Sequence, residues 1–164
     1  MPNPRTLLLF VFLLSCGCSK EPLPEGMPPL SPVDLTFVQE GQPLAEALVK
    51  LYPQDTALQR WEASGQTDAA GKVVVFTQGR YRGAVAGKFK ITVTKIDQDP
   101  STFTGELTES RAEEYEKAEE ARKTYDLVES KYGNPKTTDL EIEVVSGKNA
   151  KQFDVGKAVR VKKN

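Results

Sequence analysis

From residue 33 onward the chain is dominated by alternation of apolar and polar positions. Val33-Asp34-Leu35-Thr36-Phe37 alternates cleanly, as a strand with one buried face does. The same period returns in Gly87-Lys88-Phe89-Lys90-Ile91-Thr92-Val93-Thr94, predicting a strand over 88–96 with Phe89, Ile91 and Val93 inward and Lys88, Lys90, Thr92 and Thr94 outward. It returns again in Leu140-Glu141-Ile142-Glu143-Val144, before the turn Ser146-Gly147-Lys148-Asn149 and a last strand over 151–155. Residues 47–52 predict a strand ended by Pro53, residues 54–59 a polar loop, and Trp61 opens a short strand toward Gly65. Asp68 can bond its own backbone two residues on, and Gly71 can take the left-handed conformation. A hairpin is therefore predicted at 67–71, leading into a strand over 72–77.

One stretch breaks the alternation. Ser110-Arg111-Ala112-Glu113 has the form of a capping box. Ala112, Tyr115, Ala118, Ala121 and Tyr125 then make a thin apolar stripe, with Glu113–Lys117 and Glu119–Lys123 four residues apart on the polar side. The expectation is a charged helical insertion over about 110–131, firm to Lys123 and frayed beyond, ended by Gly133-Asn134-Pro135.

The front of the chain has a different pattern. Arg5 precedes an apolar run over 7–14, too short to span a bilayer, and small residues follow. Leu13-Leu14-Ser15-Cys16 resembles a bacterial lipobox, which implies an export signal over 1–15, cleavage before Cys16 and lipidation of its thiol. Cys18 is the alternative, but that frame puts Ser15 where a bulky aliphatic residue is preferred. A disulfide between two cysteines separated by one residue would be a strained ring. Residues 16–32 are rich in proline and read as a semi-rigid tether. Gly17 rather than Asp after the candidate lipid cysteine favours onward transport to an outer membrane.

Composition narrows the chemistry. The 164 residues are 38% hydrophobic and 27% charged, the balance of one soluble globular domain with a leader. A net charge of −1 gives no basic surface for nucleic acid. There is no histidine, so the commonest general base, the Ser-His and Cys-His pairs and imidazole metal sites are all excluded. The Gly-rich loop over 78–87 lacks the Gly-Lys-Ser/Thr of a phosphate loop, and Asp97 and Asp99 lack the further ligands of a calcium loop. No catalytic residue, metal site or cofactor is expected. Arg80, Tyr81 and Arg82 form a basic-aromatic loop tip and are the candidate partner-binding residues.

The ordered set of pieces resembles the carboxypeptidase regulatory-like domain, in the form found in short bacterial lipoproteins. The match is carried by Gly41-x-Pro43-Leu44 with Ala47-x-Val49-x-Leu51, Gly65-x-Thr67-Asp68-x-x-Gly71-Lys72, and Gly87-Lys88-Phe89-Lys90-Ile91-Thr92-Val93. It continues through Tyr132-Gly133-Asn134-Pro135, Leu140-x-x-x-Val144 and Gly147-Lys148-Asn149. The resemblance implies a mainly β fold: a seven-stranded antiparallel, Greek-key, transthyretin-like (prealbumin-like) sandwich over 33–156, with the helical insertion as a departure and a basic tail at 157–164. It implies no peptidase residues.

The function expected is that of a lipid-anchored, non-enzymatic cell-envelope module. It would be held on the outer membrane or a periplasm-facing membrane and would bind an envelope protein or a glycan. A transthyretin-like small-ligand carrier and a histidine-free hydrolase are the alternatives.

Overall fold

A computed structural model describes residues 22–163. The expected export signal, Cys16, Cys18 and the first part of the expected tether lie outside the described residues. The described chain is mainly β, with several sheets and one α-helix. Its strands are β1 (Leu30–Ser31), β2 (Val33–Gln39), β3 (Gln42–Pro43), β4 (Leu48–Pro53), β5 (Ala63–Gln66), β6 (Lys72–Val74), β7 (Phe76–Thr77), β8 (Tyr81–Arg82), β9 (Ala84–Val85) and β10 (Gly87–Thr94). After these come β11 (Ile96–Gln98), helix α1 (Ala112–Glu120), β12 (Thr124–Asp126), β13 (Glu141–Val144), β14 (Asn149–Asp154) and β15 (Val161–Lys162).

Two main sheets enclose one core. The larger runs β13-β10-β4-β5-β7-β8 and is antiparallel throughout. The smaller is centred on β2, which pairs with β14 on one side and with β3 and β6 on the other. Val33, Leu35 and Phe37 of β2 meet Val49, Leu51, Phe89, Ile91, Val93 and Val144 of the larger sheet in a single cluster of buried side chains. Burying each such side chain stabilises the fold by about 1.5–3 kcal/mol. Phe37 stacks on Phe153 of β14, their ring centroids 5.4 Å apart.

The strict alternation of β2, β10 and β13 produces the expected inward faces, with one exception. Thr92 of β10 points away from the core yet is buried, because the segment leading to β13 covers that side. There Thr138 Oγ1 donates to Ile91 O at 2.8 Å, and Lys90 Nζ donates to Thr138 O.

Several local expectations are corrected. The β2–β14 pair is parallel rather than antiparallel, because β14 leaves the edge beside β13 and crosses to the other sheet. The turn after Gly65 forms as predicted: Asp68 Oδ1 accepts from the Ala70 and Lys72 amides, and Gly71 has φ 71°. It does not close a hairpin within one sheet, however. β5 belongs to the larger sheet, whereas β6 pairs with β2 in the smaller one. The expected strand over 72–77 is accordingly split at buried Val75, and its second half, β7, returns to pair with β5. Residues expected as a polar loop form a 3₁₀ helix, Thr56–Trp61, in which Asp55 caps the Ala57 amide and Trp61 is buried.

The helical insertion is shorter than its pattern suggests. The capping box does not form, since Ser110 faces the Thr108 hydroxyl and a short 3₁₀ turn, Glu109–Arg111, leads into α1. After Glu120 the chain turns into β12, which pairs with β11 and so takes Tyr125 out of the helix. Glu113 pairs with Lys117 as expected, but Glu119 pairs with Arg122 instead of Lys123. The carboxy-terminal residues are not merely a tail: β15 pairs with β12. At the other end the tether gives way to folded structure inside its span, since Met27 is buried and β1 pairs with β9.

Candidate functional site

Arg80, Tyr81 and Arg82 follow a tight reversal between β7 and β8, with Tyr81 and Arg82 in β8 itself. Gln78 and Gly79 both have positive φ, 54° and 69°, as the central residues of a type I′ turn require, and the Arg80 amide donates to Thr77 O at 3.2 Å. Buried Thr77 donates its hydroxyl to Gly83 O at 2.8 Å, tying off the far side. Gly83 has φ 106°, and a Cβ there would sit 2.4 Å from Ser31 O, so β1 lies directly against the loop. What the sequence shows as a glycine-punctuated loop is thus two short strands, β8 and β9, the second buried under the entering amino-terminal segment.

Together these segments frame a groove of about 610 Å³. Leu23, Pro29, Leu30 and Pro32 supply one wall, and Arg80, Tyr81 and Arg82 the other. Tyr81 is half-buried and packs on the core, with the Arg80 guanidinium 5.7 Å from its ring centre. Both arginines are exposed, as is Leu23. The groove therefore has an apolar wall facing an aromatic ring and two guanidinium groups.

A second concavity lies on the outer face of the smaller sheet, where Asp34, Asp68, Lys72, Lys148 and Lys151 mix both signs of charge. Asp97 and Asp99 are occupied by protein rather than poised for a metal. Arg160 Nη2 lies 3.1 Å from Asp97 Oδ2 and 3.3 Å from Asp99 Oδ1, its guanidinium 3.6 Å from the Tyr125 ring centre, and the Tyr125 hydroxyl donates to Asp99 Oδ2 at 3.2 Å. Among the described residues no three acidic or cysteine side chains are grouped as metal ligands.

The shifted ionisations are all at the surface and favour the charged form. Glu119 is held below the usual carboxylate range, first by the Arg122 guanidinium and then by Ser101. Glu141 is lowered chiefly by the Lys90 ammonium. Lys131 is raised by its hydrogen bond to Tyr132, and Arg160 by Tyr125 and then Asp97. A general acid or base working near neutrality needs the opposite shift, toward the uncharged form.

No protein-family model, curated protein or solved structure matches the chain. The sequence reads Arg80, Tyr81 and Arg82 as a loop tip, whereas the turn is at Gln78–Gly79 and Tyr81–Arg82 form β8; the opposite wall, Leu23, Pro29, Leu30 and Pro32, lay within the segment read as tether.

Proposed function

We propose that the chain is a lipid-anchored, non-enzymatic module of the cell envelope, a transthyretin-like sandwich of the carboxypeptidase regulatory-like kind that binds an envelope protein or a glycan. The observation that carries this proposal is in the sequence: the lipobox-like Leu13-Leu14-Ser15-Cys16 stands fourteen residues before β1, the first strand of the fold, so a lipid on Cys16 would tether the domain to a membrane surface. Several acyl chains on one cysteine make a stable anchor.

The strand plan supports the fold assignment. Leaving aside the two-residue β3 and β8 and counting β6 and β7 as one strand interrupted where the chain changes sheets, the two main sheets hold β2, β4, β5, β6–β7, β10, β13 and β14, in keeping with such a sandwich. The absence of histidine, which removes the commonest general base, supports a binding role over catalysis. Edge strands β13 and β14, each paired on one side only, offer backbone to an extended partner.

The test is cross-linking in intact cells with the native protein, followed by mass spectrometry. A reproducible envelope protein or glycan joined through β13, β14 or the groove is expected. Capture of abundant neighbours alone, at residues scattered over the surface, would contradict a binding role.

A further inference from the structure

We infer that the outer edge of β14 is a self-association surface, on which a second copy of this chain pairs its own β14 in antiparallel register about Gln152. The inference deepens the binding role proposed above, resting on its open sheet edges, by giving one edge a named partner.

Hydrogen-bond geometry shows which edge is open. The Asn149 amide donates to Pro32 O and the Val155 amide to Val38 O, both at 3.0 Å. In the parallel ladder, residues 149, 151, 153 and 155 therefore turn their backbone groups toward β2. Ala150, Gln152 and Asp154 turn theirs away, and among the described residues no strand pairs with that side of β14. The neighbouring edge, on β13, differs. The Ile91 amide donates to Leu140 O, which places the outward groups of β13 at Glu141 and Glu143. Lys151 Nζ donates to Glu141 O at 3.0 Å, and the Asn149 side chain bonds both backbone groups of Val145. Side chains from β14 thus close the β13 edge at both ends. An inward-pointing lysine often guards an exposed edge. Here the Lys151 ammonium lies 4.8 Å from the Phe153 ring centre and is drawn onto β13, away from the edge of its own strand.

The residues of this edge are complementary to themselves. In a two-fold antiparallel pair centred on Gln152, Ala150 faces Asp154 of the second copy, Lys151 faces Phe153, and Gln152 faces Gln152. Each outward amide then meets a carbonyl, and no like charges stand opposite. Lys148, exposed at one end of the outer row, lies diagonally across from Asp154 of the second copy, and the two-fold repeats that pair at the other end. Sliding the pair one step sets Lys151 against Lys151 instead. Glu143, which pairing brings toward its own counterpart, shares its concavity with Lys148 and Lys151. The joined sheet runs β6-β2-β14 and on through β14-β2-β6 of the second copy.

The experiment places the photo-cross-linker p-benzoylphenylalanine at single positions of the full chain, in intact cells of the bacterium that makes it, beside an epitope-tagged copy. In place of Gln152 it should capture the tagged copy at residues 150–154; in place of Lys50, on the larger sheet, it should not. In the residue-152 background, Lys148→Glu and Asp154→Lys should each lower the product roughly fivefold, by setting like charges together at both ends, and the double swap should restore it. Ala150→Pro removes an outward amide that the fold does not use. It should abolish the product while moving the urea midpoint by no more than a surface substitution does. No product from residue 152, equal product from residue 50, or indifference to both charge reversals would overturn the inference. Capture of a different envelope protein from residue 152 would also overturn it, and would leave the proposed binding role standing.

Discussion

Asn149 closes the connection that carries the chain from one sheet to the other. It is buried, and its side-chain amide donates to Pro32 O, Val145 O and Gly147 O while its oxygen accepts from the Val145 amide. Replacing it removes the bonds to Val145 and Gly147 at the point where β13 and β14 part, while Pro32 O keeps the Asn149 backbone amide. Leaving a buried polar group unsatisfied costs about 1–3 kcal/mol. Asn149→Ala should therefore lower the urea midpoint by an amount equivalent to about 2–3 kcal/mol. A change within roughly 0.5 kcal/mol, the scatter of surface substitutions, would show that the connection is held by the strands alone. The sequence displays Ser146-Gly147-Lys148-Asn149 as a turn, and that much was legible. The bond to Pro32 was not, because its partner lies 117 residues away.

At the scale of elements, alternation was legible wherever one face is buried and the other open, as in β2 and β13. It failed where tertiary pairing overrode local pattern. Tyr125 sits at helical spacing from Ala121, yet a neighbouring strand and the Arg160 guanidinium hold it in β12. Val75 continues a β-branched run, yet the chain changes sheets there. The groove was half legible for a similar reason: the arginines are local to one turn, while the facing wall arrives from the far end of the domain. Helix α1 contributes no buried residue; Tyr115 makes an edge-to-face pair with Phe103, ring centroids 5.5 Å apart. With so little packing behind it, α1 should exchange its amide hydrogens by local opening, far faster than β10 at the centre of the larger sheet. Equal protection of the two would mean that the helix belongs to the cooperative core.

At the scale of the whole molecule, β1 begins fourteen residues after the proposed anchor cysteine and pairs with β9 beside the groove lined by Arg80, Tyr81 and Arg82. A lipid on Cys16 would tether the domain to a membrane surface and leave its sheet edges to a partner. The central claim is the anchor, and the amino-terminal peptide of the protein purified from membranes tests it most directly. Mass spectrometry should find a chain that begins at Cys16 and carries diacylglycerol and acyl groups on that residue, and Cys16→Ser should lose the lipid and leave the membrane fraction. A chain with an unmodified Cys16, or a Cys16→Ser variant that stays lipidated and membrane-bound, would contradict it.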